Sequence, residues 1–407
     1  MINLIGLGYI GLPTALMFAK AGNKVIGTDC NTKIVETLSN GECTFEEIGL
    51  REVFKQALEN SIEFRTEYVK AKTYVITVPT PYISNSKKID PKFVLTAFNS
   101  VLNVCEKGSI IIIESTVSPG FIDKYIRPEV VKKNLVIGKD IHLVHAPERI
   151  IPGNIIFELE NNSRTIGVDS QEVGEIVKKL YSSFCKAEIV ITDIKSAEMS
   201  KVVENTYRDI NIAFANELAK ICREDNMDVY EIIRIANMHP RVNILKPGPG
   251  VGGHCISVDP WFLVGDYPDL TNLILSARKV NDSMPSFVLG RIKEIMKLNQ
   301  MIDPLRVGLY GLTYKENVDD TRESPTLQLL SIMNNHLASG LKVYDPFVKQ
   351  VLVDTQILDF DGFLNEIDIL VILVGHKHLL DNIEKIKTKI VLDTRNIVND
   401  VEKLYKL

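Results

Sequence analysis

Short apolar runs alternate with amphipathic stretches through the first half of the chain. The segments "INLIG" (2–6), "KVIGTD" (24–29), "TYVITVP" (73–79), "SIIIIEST" (109–116) and "IHLVHAP" (141–147) are short and almost continuously apolar. Such runs predict parallel strands covered on both faces. Between them, Thr14–Ala21 and Pro91–Cys105 place apolar residues at helical spacing. Strand and helix in alternation predict a doubly wound α/β sheet.

Near Lys195 the period changes. "KSAEMSKVVENTYRDINIAFANELAKICREDN" has no internal Gly or Pro and repeats at helical spacing, which predicts one long helix. "DVYEIIRIANM" and "LTNLILSARKVNDSM" predict two more. Beyond "NQMIDP" the strand–helix alternation returns. "LRVGLYG", "GLKVYDP", "IDILVILVG" and "KIVLDT" read as strands, and "SPTLQLLSIMNNHL" as a helix with Pro325 in its first turn. A strand ending in Asp occurs near both ends of the chain, in "VIGTD" and "LKVYD". The expected architecture is two Rossmann-like parallel-sheet domains, 1–194 and 296–407. A mainly helical middle domain, 195–295, joins them and carries the long helix.

Composition narrows the class. Apolar residues make up 45% and charged residues 24% of 407, the balance of a globular chain with more than one core. A net charge of −5 argues against an extended nucleic-acid surface. No apolar run reaches the roughly 18 residues of a membrane helix, and the N-terminus lacks signal-peptide features. The six cysteines are scattered with no CxxC pair, so neither a metal site nor a disulfide scaffold is expected, and a cytoplasmic setting is.

Candidate chemistry begins with "GLGYIG". Gly6 permits the tight turn after the first strand, Gly8 lets backbone approach a pyrophosphate, and Gly11 allows close helix packing. The intervening Tyr9 and Ile10 belong to the same loop, and Asp29 ends the next strand, placed for ribose hydroxyls. An acid there favours NAD over NADP. "VPTP", with Val78, Pro79 and Thr80, ends a later strand at the same edge, although proline-bounded strand ends are often only structural. On the long helix, Lys201, Asn205 and Arg208 share a face. That spacing is either a solvated stripe or a polar face able to stabilise a developing alkoxide. Glu148 follows the strand in "HAPERIIPG", as base or as ion-pair partner, and Thr116 follows "ESTVSPG". Cys255, in "PGPGVGGHCISVDPWF", is the one cysteine set among glycines, with Asp259 four residues on. It is either a half-buried thiol in a turn or a nucleophile that substrate can approach. The adjacent His254 reads as structural.

Taken in order, "GLGYIGLP", "ESTVSPG", "HAPERIIPG", "EMSKVVENTYRDINIAFANE", "HPRVNILKPGPGVGGHCISVDPWF" and "LTYKENVDDTRESP" resemble the UDP-glucose/GDP-mannose dehydrogenase family across all three expected domains. The resemblance implies an NAD-dependent, four-electron oxidation of a sugar C6 alcohol to a carboxylate. Cys255 would be the nucleophile, passing through a thiohemiacetal and a thioester. Lys201 and Asn205 would handle the oxyanion, and Asp259 and Glu148, with Thr116 nearby, would position water. Arg322 would reach the cofactor. Arg149, Ile150, Arg208, His239, Arg241, Gly250, Tyr314 and Lys315 would meet the nucleotide sugar, as would Lys201 and Asn205. The resemblance further implies a homodimer built on the long helix, or a higher oligomer, with one arginine crossing to the partner's site. The cysteine-loop version points to UDP-N-acetyl-D-mannosamine as substrate. UDP-N-acetylglucosamine and a single-step β-hydroxyacid oxidation are the alternatives. Glu316 and Asn317 depart from the Gly–Asp that often follows "TYK", and Ser257 from the Ala or Pro common before Asp259.

Overall fold

The computed structural model describes residues 1–60, 62–253, 255–334 and 340–407. The chain divides into two compact units, one comprising Met1–Glu204 with Trp261–Tyr267, the other Asn205–Pro260 with Pro268–Leu407.

The first unit is built on eight strands: β1 (Ile2–Ile5), β2 (Val25–Thr28), β3 (Ile62–Arg65), β4 (Thr73–Ile76), β5 (Ser109–Ile113), β6 (Ile141–His145), β7 (Arg164–Val168) and β8 (Ile189–Thr192). Their order is β3-β2-β1-β4-β5-β6-β7-β8. The five strands expected from apolar runs are β1, β2, β4, β5 and β6. They are parallel, while β7 pairs antiparallel with β6. Chain order reverses between β1 and β4, so the loops at their carboxyl ends open where an open α/β sheet binds ligands. The first helix, Gly11–Lys20, is buried over Gly11–Ala19 and packs into the same core as β1 and β2.

The second unit holds an all-parallel sheet of β9 (Val307–Tyr310), β10 (Lys342–Tyr344), β11 (Ile369–Ile372), β12 (Ile390–Asp393) and β13 (Lys403–Lys406), in the order β10-β9-β11-β12-β13. The helix Pro325–Asn334 begins at the expected proline. The rest of that expected segment, 335–337, lies outside the described residues. The long helix is continuous from Ile194 to Glu224, 31 residues. The helix expected through Met284 instead stops at Asp282, and a new one, Met284–Leu298, starts with Pro285 in its first turn, where proline is tolerated. No helix among the described residues is long and apolar enough to cross a membrane.

Candidate active site

In the first unit, the glycine motif has the geometry a dinucleotide requires. Gly6 has φ of +94°, and a Cβ on Gly11 would lie 1.8 Å from the Gly6 carbonyl oxygen. A Cβ on Gly8 would meet nothing within 4 Å, so this backbone is open to approach. The helix it leads into has no side-chain N-cap; Leu12 N donates to Gly8 O (3.0 Å) and Pro13 has no N–H, so the amides that could meet an anionic group are those of Ile10 and Gly11. Asp29 accepts from Leu7 N (2.8 Å) and Asn31 N (2.9 Å), which fixes its carboxylate beside the glycine loop. Hydrogen bonds stitch the neighbouring loops to it. Thr77 Oγ1 donates toward Gly6 O (2.7 Å), and Ser115 Oγ donates to Val78 O (2.7 Å). Tyr9, Ile10 and Val78 are half-buried, Pro79 is exposed and Thr80 is buried.

Beyond β5 and β6 lies a buried charge cluster absent from the sequence-based expectation. Glu148 is 4% exposed and is paired with the guanidinium of Arg164, which also reaches Glu114 at 3.2 Å. The Tyr181 hydroxyl donates to Glu114 (3.1 Å), and the Arg164 guanidinium lies 4.3 Å from the Tyr181 ring centroid. Burial pushes the Glu114 carboxyl up despite Arg164. Glu148 also accepts from Arg149 N (2.7 Å), so both of its oxygens are engaged. The Arg149 guanidinium is itself committed to Glu204, Ser163 and Thr165. Ile150 and Thr116 are half-buried.

Lys201 is buried on the long helix. One turn earlier, Glu198 is 1% exposed and accepts from Gly120 N (2.5 Å) and Ile122 N (2.9 Å), binding the helix to the loop that follows Thr116. Burial pushes its carboxyl up to about 7.

In the second unit, Asn205 Nδ2 donates to Asp259 Oδ2 (2.6 Å), and both side chains are buried. Cys255 is exposed, in a turn closed by Val258 N and Asp259 N on its carbonyl (3.1 and 2.9 Å), just before the helix Asp259–Asp266. The glycines before Cys255 are sterically required. A Cβ on Gly252 would meet Glu323 O at 2.6 Å, and one on Gly253 (φ +83°) would meet the Tyr314 ring at 2.7 Å. Gly253 N donates to Arg322 O (2.9 Å), and the Arg322 guanidinium interacts electrostatically with Cys255. Tyr314, Arg322 and the cysteine turn therefore come together, and Lys315 is next to Tyr314. Ser257 donates to the Gly253 carbonyl, a hydroxyl contact inside the turn that Ala or Pro would lack. Gly250, at φ +144°, packs on Pro325 and Pro285. Arg208, His239 and Arg241 are exposed, unlike Lys201 and Asn205, although Arg208 shares their helix. His254 lies outside the described residues.

With this geometry in hand, comparison with known proteins is decisive. Residues 1–185, 195–283 and 308–400 match, in turn, the NAD binding, central and UDP binding domains of the UDP-glucose/GDP-mannose dehydrogenase family. The chain belongs to this family. As a UDP-glucose/GDP-mannose dehydrogenase family member it is an NAD-dependent oxidoreductase of nucleotide sugars, and its glycine motif fits the cofactor. It is 44% identical to a UDP-N-acetyl-D-mannosamine dehydrogenase of Methanocaldococcus jannaschii, over 98% of this chain and 92% of that protein. Among solved structures, a UDP-N-acetyl-mannosamine dehydrogenase from Staphylococcus aureus is 39% identical with a TM-score of 0.89, covering 100% of this chain and 97% of that one. A UDP-D-ManNAc dehydrogenase from Pyrococcus horikoshii is 34% identical with a TM-score of 0.92, covering 100% and 99%.

Proposed function

We propose that this family member oxidises the C6 hydroxyl of UDP-N-acetyl-D-mannosamine to the carboxylate in two steps. The observation that carries this reading is an exposed thiol just before a helix, beside Arg322 and in a turn whose Gly253 packs on Tyr314, with Asp259 at the start of that helix bound by Asn205 of the long helix. The relatives above, named for that sugar, support the substrate.

NAD, held by Asp29 and the glycine loop, would supply the hydride acceptor, one molecule for each of the two oxidations. The chain's own residues do the rest. In the first oxidation C6–H leaves as hydride and the hydroxyl loses its proton, with Lys201 and Asn205 stabilising charge on O6. The Cys255 thiolate then adds to the aldehyde carbon, forming C–S and a thiohemiacetal. A second hydride leaves that carbon and a proton leaves its hydroxyl, giving a thioester. Water adds to the thioester carbonyl, positioned by Asp259 through Asn205. The C–S bond breaks, the two protons of the water pass to solvent, and thiolate and carboxylate emerge. Glu148, bound by Arg164 on one side and the Arg149 amide on the other, orients water or sugar rather than shuttling protons. Asp29 and the glycines would hold the dinucleotide with Tyr9, Ile10, Val78, Pro79, Thr80 and Thr116, and Arg322 is the further cofactor contact that the family resemblance implies. Arg149, Ile150, Arg208, His239, Arg241, Gly250, Tyr314 and Lys315 remain the proposed sugar-nucleotide contacts. The three-part division at 194 and 295, a cytoplasmic location and a homodimer seated on the long helix belong to the same proposal.

The test is a panel of UDP-sugars with NAD, scored by NADH yield and product mass. Two NADH per UDP-N-acetyl-D-mannosamine, with uronate product, is expected. One NADH, or preference for the C2 epimer, rejects the reaction or the sugar respectively. Cys255→Ala is expected to lower two-step turnover on the order of 10³-fold or more, as removal of other enzyme nucleophiles does. Full turnover by that variant rejects the thioester route.

A further inference from the structure

The loop carrying Tyr314 and Lys315 is pinned at both ends, by Asp345 and His376, two residues outside the proposed machinery. At its start, Leu312 N (2.6 Å) and Thr313 N (3.1 Å) donate to Asp345 Oδ2. At its end, Asn317 N donates to His376 Nδ1 (2.9 Å), and Asn317 Oδ1 accepts from Lys377 N (3.0 Å). Asn317 has φ of +60°, a left-handed conformation that Asn tolerates better than most residues. Its side chain here caps the start of the helix Lys377–Asp381. The departure at Asn317 from the usual loop sequence thus supplies an anchor.

His376 is fully buried, with its ring centroid 5.1 Å from that of Phe347 and 5.8 Å from that of Tyr310. Its neighbours dictate its protonation pattern. A backbone N–H can only donate, so Nδ1 must be the acceptor. Nε2 faces the Asp345 carboxylate at 3.2 Å and Thr313 Oγ1 at 3.3 Å. The Thr313 hydroxyl already donates to Lys315 O (2.9 Å), so both groups facing Nε2 accept. The proton therefore sits on Nε2, and one ring bridges the two anchors of the loop. Burial works to raise the Asp345 carboxyl, but the His376 bond and the backbone amides outweigh it and hold it below its usual value.

We propose that His376, through its Nε2–H tautomer, is the positioning residue that presets the Leu312–Asn317 loop for the uridine diphosphate of the substrate. This rests on the reading that Tyr314 and Lys315 contact the nucleotide sugar, in the segment that matches a UDP binding domain. The ring touches loop backbone and Asp345, and it acts by sparing the loop its ordering entropy on binding. Asp29 holds the first glycine loop from one side in the same manner as Asp345, and among the described residues a histidine closes the second loop from the other side.

The test measures UDP affinity by calorimetry, and KM and kcat for the sugar nucleotide, in the full-length enzyme. His376→Phe fills the space but strands the Asn317 amide and takes one of three donors from Asp345 Oδ2. It is expected to weaken UDP binding and raise the sugar-nucleotide KM roughly 5- to 30-fold, as loss of buried hydrogen bonds implies. The fall in kcat should be smaller, and the NAD KM should not move. His376→Asn places an acceptor where Nδ1 stood and should recover most of the affinity. Equal losses in sugar KM, NAD KM and kcat, or no rescue by His376→Asn, reduce His376 to a general folding residue and overturn the proposal. Wild-type UDP affinity in His376→Phe, together with weakened binding in Lys315→Ala, overturns the proposal and leaves the loop's role intact. Unchanged UDP binding in Lys315→Ala overturns the loop reading itself. Should His376→Phe fail to fold, long-range ¹H–¹⁵N correlation on the wild-type enzyme decides. A protonated Nδ1 on His376 sinks the proposal, and a bare Nδ1 with a protonated Nε2 upholds it.

Discussion

Lys201 places an ammonium group in the protein interior, one turn before the Asn205–Asp259 pair along the same helix. Withdrawing an ammonium from water is costly, and negative charge developing on the substrate oxygen would offset that cost only as the reaction proceeds. Lys201→Ala is therefore expected to lower kcat about 10²–10³-fold. The sugar-nucleotide dissociation constant, measured by calorimetry, should change far less. Equal losses in both would mark Lys201 as a uniform binding group. Cys255, Asn205, Asp259 and Lys201 could be singled out as candidates because each interrupts its surroundings with an unusual residue type, but spacing alone left a turn thiol and a solvated stripe open, and their roles rest on the family resemblance. Arg164 and Glu198 were not legible. A lone charge at the start of an apolar run, or on a helix, reads as solvated. Arg164's counter-charges lie 50 and 16 positions away, and Glu198's amide partners lie 78 and 76 positions away. Only the folded chain reveals those pairings.

Among elements, most strands buried on both faces could be recognised, while the edge strands β3, β8 and β13 could not; the edge strand β10 was legible in "LKVYD" and the internal β7 was missed. β1, β2 and β5 are buried at every position, and β4 at all but its first. β3 at the sheet edge alternates buried and exposed residues in "IEFR", and β13 in "KLYK" has no buried residue, so neither carries a continuous apolar signal. The contact between the long helix and the loop after Thr116 was equally silent, and it has a consequence for stability. Glu198 titrates at about 7 in the folded protein, against 4.5 for the ordinary carboxyl. Between those values the folded chain retains a proton that the unfolded chain has released, so stability falls as pH rises through that window. Glu198→Gln cannot ionise and removes this dependence. The wild type should therefore lose stability relative to Glu198→Gln between pH 5 and pH 8, read as the difference in urea midpoints. Parallel midpoints for the two proteins across that range would show that the carboxyl stays ionised throughout.

Across the whole molecule, the two sheets use one device for two loops. Gly6 N donates to Thr28 O and Gly311 N to Tyr344 O, each at 2.8 Å, and the residue after each glycine donates to Asp29 or Asp345 at the end of the neighbouring strand. The sequence carried this repeat as two strands ending in Asp. Past the glycine the two loops diverge, one running to Gly8 and Gly11 and the other to Tyr314 and Lys315. The surface of the long helix bears on the proposed assembly. Val203, Tyr207, Phe214 and Ile221 are 47%, 62%, 52% and 50% exposed, and their spacing places them on one stripe. Tyr207 and Phe214 also line a groove of about 470 Å³ that includes Arg241. An apolar stripe of this kind along a single helix suits a two-fold seam, where the same patch meets itself. Phe214→Glu would set like charges against each other there and is expected to halve the particle mass measured by light scattering. An unchanged mass would place the seam elsewhere. If Arg241 then serves the neighbouring subunit's substrate, mixing Arg241→Ala with Cys255→Ala chains should restore about a quarter of wild-type turnover, because half the random dimers are mixed and each has one intact site. No recovery on mixing, with mixed dimers confirmed by mass, would mean that each chain completes its own site.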